Sequence, residues 1–339
     1  MLRADLPQQI EVLIGAMAVG QSGVLDPCLQ NERSPNAESV VVVQMFRRAI
    51  EGNMQPLRGK VAVVAGATRG AGRGIAVELG AAGATVYVTG RSVRGKPATA
   101  NRPETIEETA EMVHARGGVG IPVQVDHTVE EQVKALFERV KQEQDGCLDV
   151  LVNDVWGGDE LTEWGKPFWE HSLSNGLLMQ ERAVHSHIIT SHYGVPLMVA
   201  RGQGLIIEVT DGDGFDYRGN LFYDLVKVSV IRLAYAMAED IRTHKLTGIT
   251  AVALTPGYLR SEAMLDGFGV TEENWQEAVK QDPNFARSET PFYIGRAVVA
   301  LVSDPHIAEK SGKALATWNL AREYGFMDVD RTQPNWGGS

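Results

Sequence analysis

From Lys60 onward, short apolar runs alternate with segments of helical period, and this alternation limits the possible folds more than any other feature of the chain. VAVVAG (61–66) reads as a buried strand that ends in glycine. Gly70 to Ala82 reads as a helix and TVYVTG (85–90) as the next strand. A helix follows from Pro103, a helix-starting residue, to Arg116. VGIPVQV (119–125) is a third strand, placed near a sheet edge by Pro122, which cannot donate to a ladder. Glu130 to Gln144 carries Val133, Leu136, Phe137 and Val140 at helical spacing, and LDVLVN (148–153) is a fourth strand. A long helix from Asn175 to Ala200 leads to GLIIEVT (204–210), and one from Leu221 to His244 leads to GITAVALTP (248–256). After an irregular stretch, Pro291 to Ser303 is helical and KALATWNL (313–320) is a seventh strand. Strands separated by helices form a parallel sheet covered on both faces. Right-handed crossovers then give one doubly wound α/β sheet of seven strands.

The first 53 residues do not share this pattern; they lack a clear period and scatter Gly, Pro, Asn and Ser. They are expected to form a poorly ordered extension, with a short docked helix over Val40 to Ile50 as the alternative. Met54 opens an ordinary domain start. The expected division is an extension at 1–53 and a single domain at 54–339, with a substrate lid at about 259–290. Hydrophobic residues are 44% of the chain and charged residues 22%, which excludes disordered, collagenous and coiled-coil classes. The formal charge of −11 repels phosphate backbones and anionic lipid, so neither nucleic acid nor a membrane surface is an expected partner. The longest apolar runs, 12–19 and 40–43, fall short of the roughly 20 residues that span a bilayer. Cys28 and Cys147 alone cannot build a disulfide framework or a cysteine zinc site. That suits a reducing compartment, and the expected location is the cytoplasm.

The strongest local signal is AGATRGAGRGIA (65–76), where Gly66, Gly70, Gly72 and Gly74 lie between a strand and a helix. Gly66 permits the tight turn, Gly70 lets backbone approach a pyrophosphate, and Gly72 allows the helix to pack closely on the strand. The helix N-terminus then offers free N–H groups and a positive dipole end to phosphates. This is the context of dinucleotide binding. An acid at the end of the second strand would hold the ribose hydroxyls of NAD. Here Thr89-Gly90-Arg91-Ser92 stands there. Arg91, with Arg69 inside the glycine loop, suits charge-assisted bonds to a 2′-phosphate, so NADP is expected rather than NAD.

GATRGAG, the strand-end Asn153, Tyr223-Asp-Leu-Val-Lys227 and Pro256-Gly257 occur in that order and together resemble the short-chain dehydrogenase/reductase family. The resemblance covers about Lys60 to Asp330. GQGLII (202–207), ALVSDP (300–305), SGKAL (311–315) and LAREYGFMDVD (320–330) are similar to one group within it. The resemblance implies a Rossmann sheet of about seven strands, the number reached above from periodicity. It implies a cofactor seat made by Gly66, Thr68, Arg69, Gly70, Ala71, Gly72, Arg91 and Ser92, with Asp126 on the adenine amino group. Asn153 resembles the start of the family's asparagine-alanine-glycine motif, which continues differently here as Asp154-Val155-Trp156. Pro256 and Gly257, with Leu259, look like the turn that receives the nicotinamide amide. Ser261 stands where the family often has a threonine on that amide or on the phosphates. The family commonly forms dimers or tetramers, which implies a homo-oligomer.

Tyr223 and Lys227 are four apart on a predicted helix and share one face. An ammonium beside a tyrosine lowers the phenol pKa from about 10. That makes it a general acid for carbonyl reduction or a base for alcohol oxidation. Lys227 also suits the nicotinamide ribose. The family places a serine just after strand five; here that strand ends Val209-Thr210-Asp211-Gly212, with Asp211 on the serine position. The family's mid-helix asparagine aligns with Glu181. Asp211 is expected to act as a partly protonated donor to the carbonyl, with Thr210 as the fallback, since crowding and burial raise a carboxylate pKa. The expected function is an oxidoreductase that interconverts a small-molecule carbonyl and an alcohol. The alternatives are a cofactor-binding sensor or structural protein with altered reacting groups, and a reductase of an activated alkene or imine.

Other features carry less. His185, His187 and His192 lack an accompanying carboxylate pattern and are expected to be satisfied or surface histidines rather than metal ligands. Trp156, Trp164 and Trp169, near Phe168, read either as an aromatic wall for a bulky apolar substrate or as a small core beneath a long loop. Leu259 to Arg287, with Met264, Leu265, Phe268 and Trp275, fits the lid. Within it, Arg260 is a candidate to neutralise one of the unusual acids.

Overall fold

The computed structural model describes residues 55–99 and 102–337. The expected extension, with its Val40 to Ile50 helix, lies outside the described residues. Seven strands follow in order: β1 (Val61–Ala65), β2 (Thr85–Gly90), β3 (Val119–Gln124), β4 (Val150–Asn153), β5 (Gly204–Val209), β6 (Ile249–Thr255) and β7 (Ala314–Ala316). The helices are α1 (Gly70–Ala81), α2 (Ile106–Ala115), α3 (Glu130–Glu143), α4 (Leu173–Gln180), α5 (Ser186–Arg201), α6 (Leu221–Thr243), α7 (Glu262–Phe268), α8 (Pro291–Ser303) and α9 (Thr317–Tyr324).

All strand pairs are parallel, in the spatial order β3-β2-β1-β4-β5-β6-β7. The chain winds outward from β1 to β3, then returns to β4 and winds the other way. The reversal between β1 and β4 opens a crevice at the strands' C-terminal ends, where doubly wound sheets bind ligands. The register sets Ala65 level with both Thr89 and Asn153, so the glycine loop and the end of β4 meet there. β1, β4 and β6 are buried along their whole length, which is why they read as continuous apolar runs. Pro122 lies in β3, the edge strand, paired with Val88.

One face of the sheet is covered by α1, α2 and α8, whose Ile75, Leu79, Val113, Ile294 and Val298 pack with Val64, Val86 and Val152. The other is covered by α3, α5 and α6, through Val133, Phe137, Met198 and Ile241 on Val63, Leu151 and Ile206. The α1–α8 contact is backbone on backbone: a Cβ at Gly74 would stand 1.8 Å from the Pro291 carbonyl oxygen.

Three elements differ from expectation. The helix expected from Pro103 starts at Ile106, because the Thr105 side chain caps it by accepting from the Glu108 N–H. The helix expected over Asn175 to Ala200 is two, α4 and α5, joined by a π turn at Glu181–His185. Such turns often mark functional sites. The strand expected at 313–320 stops at Ala316, and α9 takes over because Thr317, Trp318, Leu320 and Ala321 bury at helical spacing. The segment expected as a lid carries a small core of its own, with Val270, Ala278 and Phe285 surrounded by Tyr258, Phe268 and Trp275.

Candidate active site

The glycine loop is pressed onto the end of β4. Gly66 has φ +87°, and a Cβ there would lie 2.4 Å from the Asp154 carbonyl oxygen. A Cβ at Gly72 would lie 2.4 Å from the Gly66 carbonyl oxygen and 2.8 Å from Asp154 Oδ2. No side chain fits at either place. The N-terminus of α1 then meets two carboxylates of its own chain. The Gly70 N–H donates to Glu262 Oε2 at 2.8 Å, and Glu262 Oε1 lies 3.4 Å from Arg73 Nη1. The Gly72 N–H donates to Asp154. Carboxylates are the chemical analogues of phosphate oxygens at a positive helix end.

Arg69 bonds Glu104 through Nε at 3.1 Å and Thr99 through Nη1 at 3.4 Å, while its buried Nη2 has no partner. Arg91 is half-buried, 3.9 Å from Asp126. Asp126 accepts from the Thr128 N–H and hydroxyl, at 3.0 and 2.7 Å. A cavity of about 690 Å³ opens beside them, lined in part by Arg91, Gln124, Asp126, Gln132 and Arg139. Ser92 is buried, and its hydroxyl accepts from the Ala98 N–H. The Thr68 carbonyl accepts from Arg73 Nε, and Ala71 is buried in the first turn of α1. Asn153 is fully buried and braces the sheet: its Nδ2 donates to Glu208 Oε1 at 2.7 Å and to Ser191 at 2.9 Å, while its Oδ1 has no partner. Glu208 Oε2 is 2.7 Å from His187 Nδ1, and the other ring nitrogen of that histidine bonds the Val155 carbonyl. His185 and His192 are exposed. Among the described residues no group of His, Cys, Asp and Glu is placed to hold a metal ion.

Tyr223 and Lys227 come together on one face of α6, facing the crevice end of β5. The Tyr223 hydroxyl donates to Asp211 Oδ2 at 2.7 Å. Trp156 meets the Tyr223 ring edge-on at 5.3 Å, and Trp164 lies against it at 5.2 Å. The Lys227 ammonium rests over the Trp156 ring at 4.1 Å, a cation–π contact. Trp156 also packs on Met179, Ala183 and Val226, whereas Trp164, Phe168 and Trp169 are exposed. The aromatic group is therefore part core and part open wall.

Several of these groups stand differently from expectation. Lys227 lies 5.3 Å from the Tyr223 ring, yet the net shift of the phenol pKa is upward. Burial, then the Asp211 charge and hydrogen bond, raise it well above the usual phenol value. Burial lowers Lys227, against the pull of Asp211, Asp154 and Asp159. Asp211, expected as a donor to the carbonyl, here accepts from the Tyr223 hydroxyl at 2.7 Å. Thr210 is buried, with its hydroxyl donating to the Lys227 carbonyl at 2.8 Å, so it braces α6 instead of facing the groove. Glu181 is exposed on the π turn; the acids acting on Lys227 are Asp211, Asp154 and Asp159. Arg260 turns away from Asp211 and is buried in the segment expected as a lid, bonded to Glu272, the Ser288 carbonyl and Asp330.

The turn after β6 is also tied down. The Gly257 N–H donates to Glu289 Oε2 at 2.9 Å, and so does the Thr317 hydroxyl at 2.7 Å. Burial raises the Glu289 pKa to about 8. Leu259 bridges to Glu289, and Ser261 caps α7 by accepting from the Met264 N–H. A Cβ at Gly70 would lie 3.8 Å from Ser261 and 4.0 Å from Leu259, so the turn after β6 rests on the glycine loop. Asp154, Glu262, Arg218 and Glu289 were missed as site residues. Asp154 was visible only as a departure from the family motif, and Glu262 carries no local signal.

The comparison with known families agrees with this geometry. A family model described as short chain dehydrogenase matches residues 60–267. The chain belongs to the short-chain dehydrogenase/reductase family. It is 39% identical over 279 residues to Dehydrogenase/reductase SDR family member 1 of Mus musculus, covering 81% of this chain and 85% of that protein. The Homo sapiens protein of the same name is 38% identical over 278 residues, with the same coverage of 81% and 85%. A short-chain dehydrogenase from Mycobacterium thermoresistibile superposes with a TM-score of 0.66 at 23% identity, covering 83% of this chain and 93% of its own, which shows the shared fold. Members of this family bind NAD(P). The residues present fit such a dinucleotide: the loop at Gly66 and Gly72 admits backbone only, α1 already seats anionic oxygens, and Arg69 Nη2 is buried without a partner.

Proposed function

We propose that this oxidoreductase is an NADP-preferring reductase of small-molecule carbonyls, with Tyr223 as the proton donor. The observation that carries the reading is the pairing of Tyr223 and Lys227 on α6, within an aromatic and acidic groove at the crevice of the sheet. NADPH supplies hydride to the carbonyl carbon when bound. Gly70, Gly72, Arg69 and Arg91 hold its phosphates, once Glu262 and Asp154 give up the N–H groups of α1. Asp126, Asn153, Pro256, Gly257, Leu259 and Ser261 complete the seat, in part by bracing it. Lys227 holds the ribose. Asp211 holds the Tyr223 hydroxyl until substrate enters, and Tyr223 then gives its proton to the developing alkoxide. The raised phenol pKa keeps Tyr223 protonated, the form that reduction uses. A cytoplasmic homo-oligomer belongs to the same proposal. No helix among the described residues is long and apolar enough to cross a membrane.

NADPH consumption over a panel of carbonyls and enones, with wild type and Tyr223→Phe, tests the assignment. Carbonyl turnover that is lost in Tyr223→Phe, with NADPH binding kept, supports it. Full turnover by that variant, or turnover of enones alone, refutes it. The Tyr223–Asp211 bond favours a sensor as the second reading, since it occupies the reacting hydroxyl. A sensor binds NADPH and consumes none with any carbonyl.

A further inference from the structure

The Tyr223 hydroxyl is already engaged, donating to Asp211 Oδ2 at 2.7 Å. A carbonyl oxygen must take that proton from a carboxylate, which is the stronger acceptor. The carboxylate is itself under-partnered. Among the described residues its one hydrogen-bond donor is Tyr223, and it has no ion pair. Arg218, the nearest arginine along the loop, bonds the Asp211 backbone carbonyl and the Asp224 carboxylate instead. The Lys227 ammonium lies on Trp156. Lys227 feels its charge, but no cation among the described residues stands within ion-pairing distance, and a half-buried carboxylate is relieved by one that does. The groove around it is built for that charge. Trp164 is 58% exposed beside Tyr223, and Phe215 and Tyr217 are exposed on the loop that carries Asp211. An ammonium group binds well on aromatic faces, as Lys227 does on Trp156. Exposed Asp159, Glu160, Asp213 and Asp216 line the same loops and repel anions.

We propose that the substrate is an amino carbonyl compound, whose protonated amine pairs with Asp211 while its carbonyl oxygen takes the Tyr223 hydroxyl. This rests on the carbonyl reduction proposed above. The Tyr223 oxygen and Asp211 Oδ2 are 2.7 Å apart. With ordinary hydrogen-bond lengths at both ends, ammonium and carbonyl oxygen stand roughly 3 to 6 Å apart, which places the amine about one to three carbons from the carbonyl carbon. The ammonium satisfies Asp211 and thereby frees the Tyr223 hydroxyl. In the reaction the electron pair of the nicotinamide C–H bond forms a C–H bond at the carbonyl carbon. The C=O π pair moves to oxygen, which takes the Tyr223 proton, and solvent reprotonates the phenolate. The products are an amino alcohol and the oxidised nicotinamide.

The test uses three matched probes with the full-length protein: α-aminoacetophenone, its uncharged isostere propiophenone and the anionic benzoylacetate. Steady-state NADPH consumption gives kcat/KM for each. Tryptophan quenching in titrations of the protein, alone and with NADP, gives their affinities where turnover is slow. Wild type is expected to favour the amine over the isostere by about tenfold or more and to bind benzoylacetate worst. Asp211→Asn should abolish that preference while NADPH affinity stays unchanged. Equal or better handling of propiophenone overturns the proposal, as does a preference that survives in Asp211→Asn. Failure of NADPH itself to bind would instead refute the reductase reading.

Discussion

Replacing Glu262 with glutamine should tighten cofactor binding. The Gly70 N–H that a pyrophosphate needs is taken by Glu262 at 2.8 Å, and the same carboxylate lies 3.4 Å from Arg73. Cofactor must displace it. A hydrogen bond to a charged group contributes about 1.5–3 kcal/mol. The helix end adds about 0.3–1 kcal/mol. The Glu262 side chain is 27% exposed, so water returns part of this when it leaves, and the net cost of displacement is about 1–2 kcal/mol. Glutamine has the same shape but no charge to hold it on the helix end or to repel phosphate. NADPH should therefore bind about 5- to 30-fold more tightly to Glu262→Gln, by fluorescence titration at low salt. The gain should shrink at high salt. An unchanged or weaker Kd would refute the competition, and Glu262 would then be a residue that supports the bound cofactor.

Arg69→Ala should raise the Kd for NADPH by about 10- to 100-fold and that for NADH far less, because the unpartnered Nη2 is then lost to a 2′-phosphate. Gly74→Ala forces α1 and α8 apart at a contact where the Cβ would stand 1.8 Å from backbone. Overpacking of this kind costs about 1–3 kcal/mol, a fall in Tm of roughly 2–10 °C by calorimetry. Two acids, buried Glu289 and half-buried Asp154, set a pH dependence. Asp154 and Glu289 keep their protons in the folded chain up to about 7 and about 8, against unfolded values of 3.8 and 4.5. In between, the unfolded chain binds fewer protons, so these groups make stability fall as pH rises from about 4 to about 8. Glu289→Gln should accordingly gain more Tm at pH ~8.5 than at pH ~5, and an equal change at both would count against the raised pKa.

The sheet and its order of elements were legible because β1, β2, β4, β5 and β6 are buried apolar runs, and long helices such as α3 have one apolar face. The glycine loop and the Tyr223–Lys227 pair were legible because their chemistry is written in local spacing. The last strand was overextended because KALATWNL is apolar in either period, and only the burial of Trp318, Leu320 and Ala321 on one helical face decides it. Residues that act across the fold were not legible. Glu262 reaches Gly70 over 192 positions of sequence, and Arg260 reaches Asp330 over 70. That Asp211 accepts from Tyr223 depends on where α6 sets the hydroxyl, which no spacing reveals. The direction of the Tyr223 pKa likewise follows from burial and from the charge and hydrogen bond of Asp211, which only the fold brings against it.

Titration of the protein with NADPH and with NADH, following tryptophan fluorescence, reads the cofactor seat directly. Saturable quenching by NADPH, with NADH binding at least about tenfold more weakly, is expected from the glycine loop and from Arg69 and Arg91. Absence of binding by either nucleotide would contradict the assignment of this crevice as a cofactor site, and with it the reduction assigned to Tyr223.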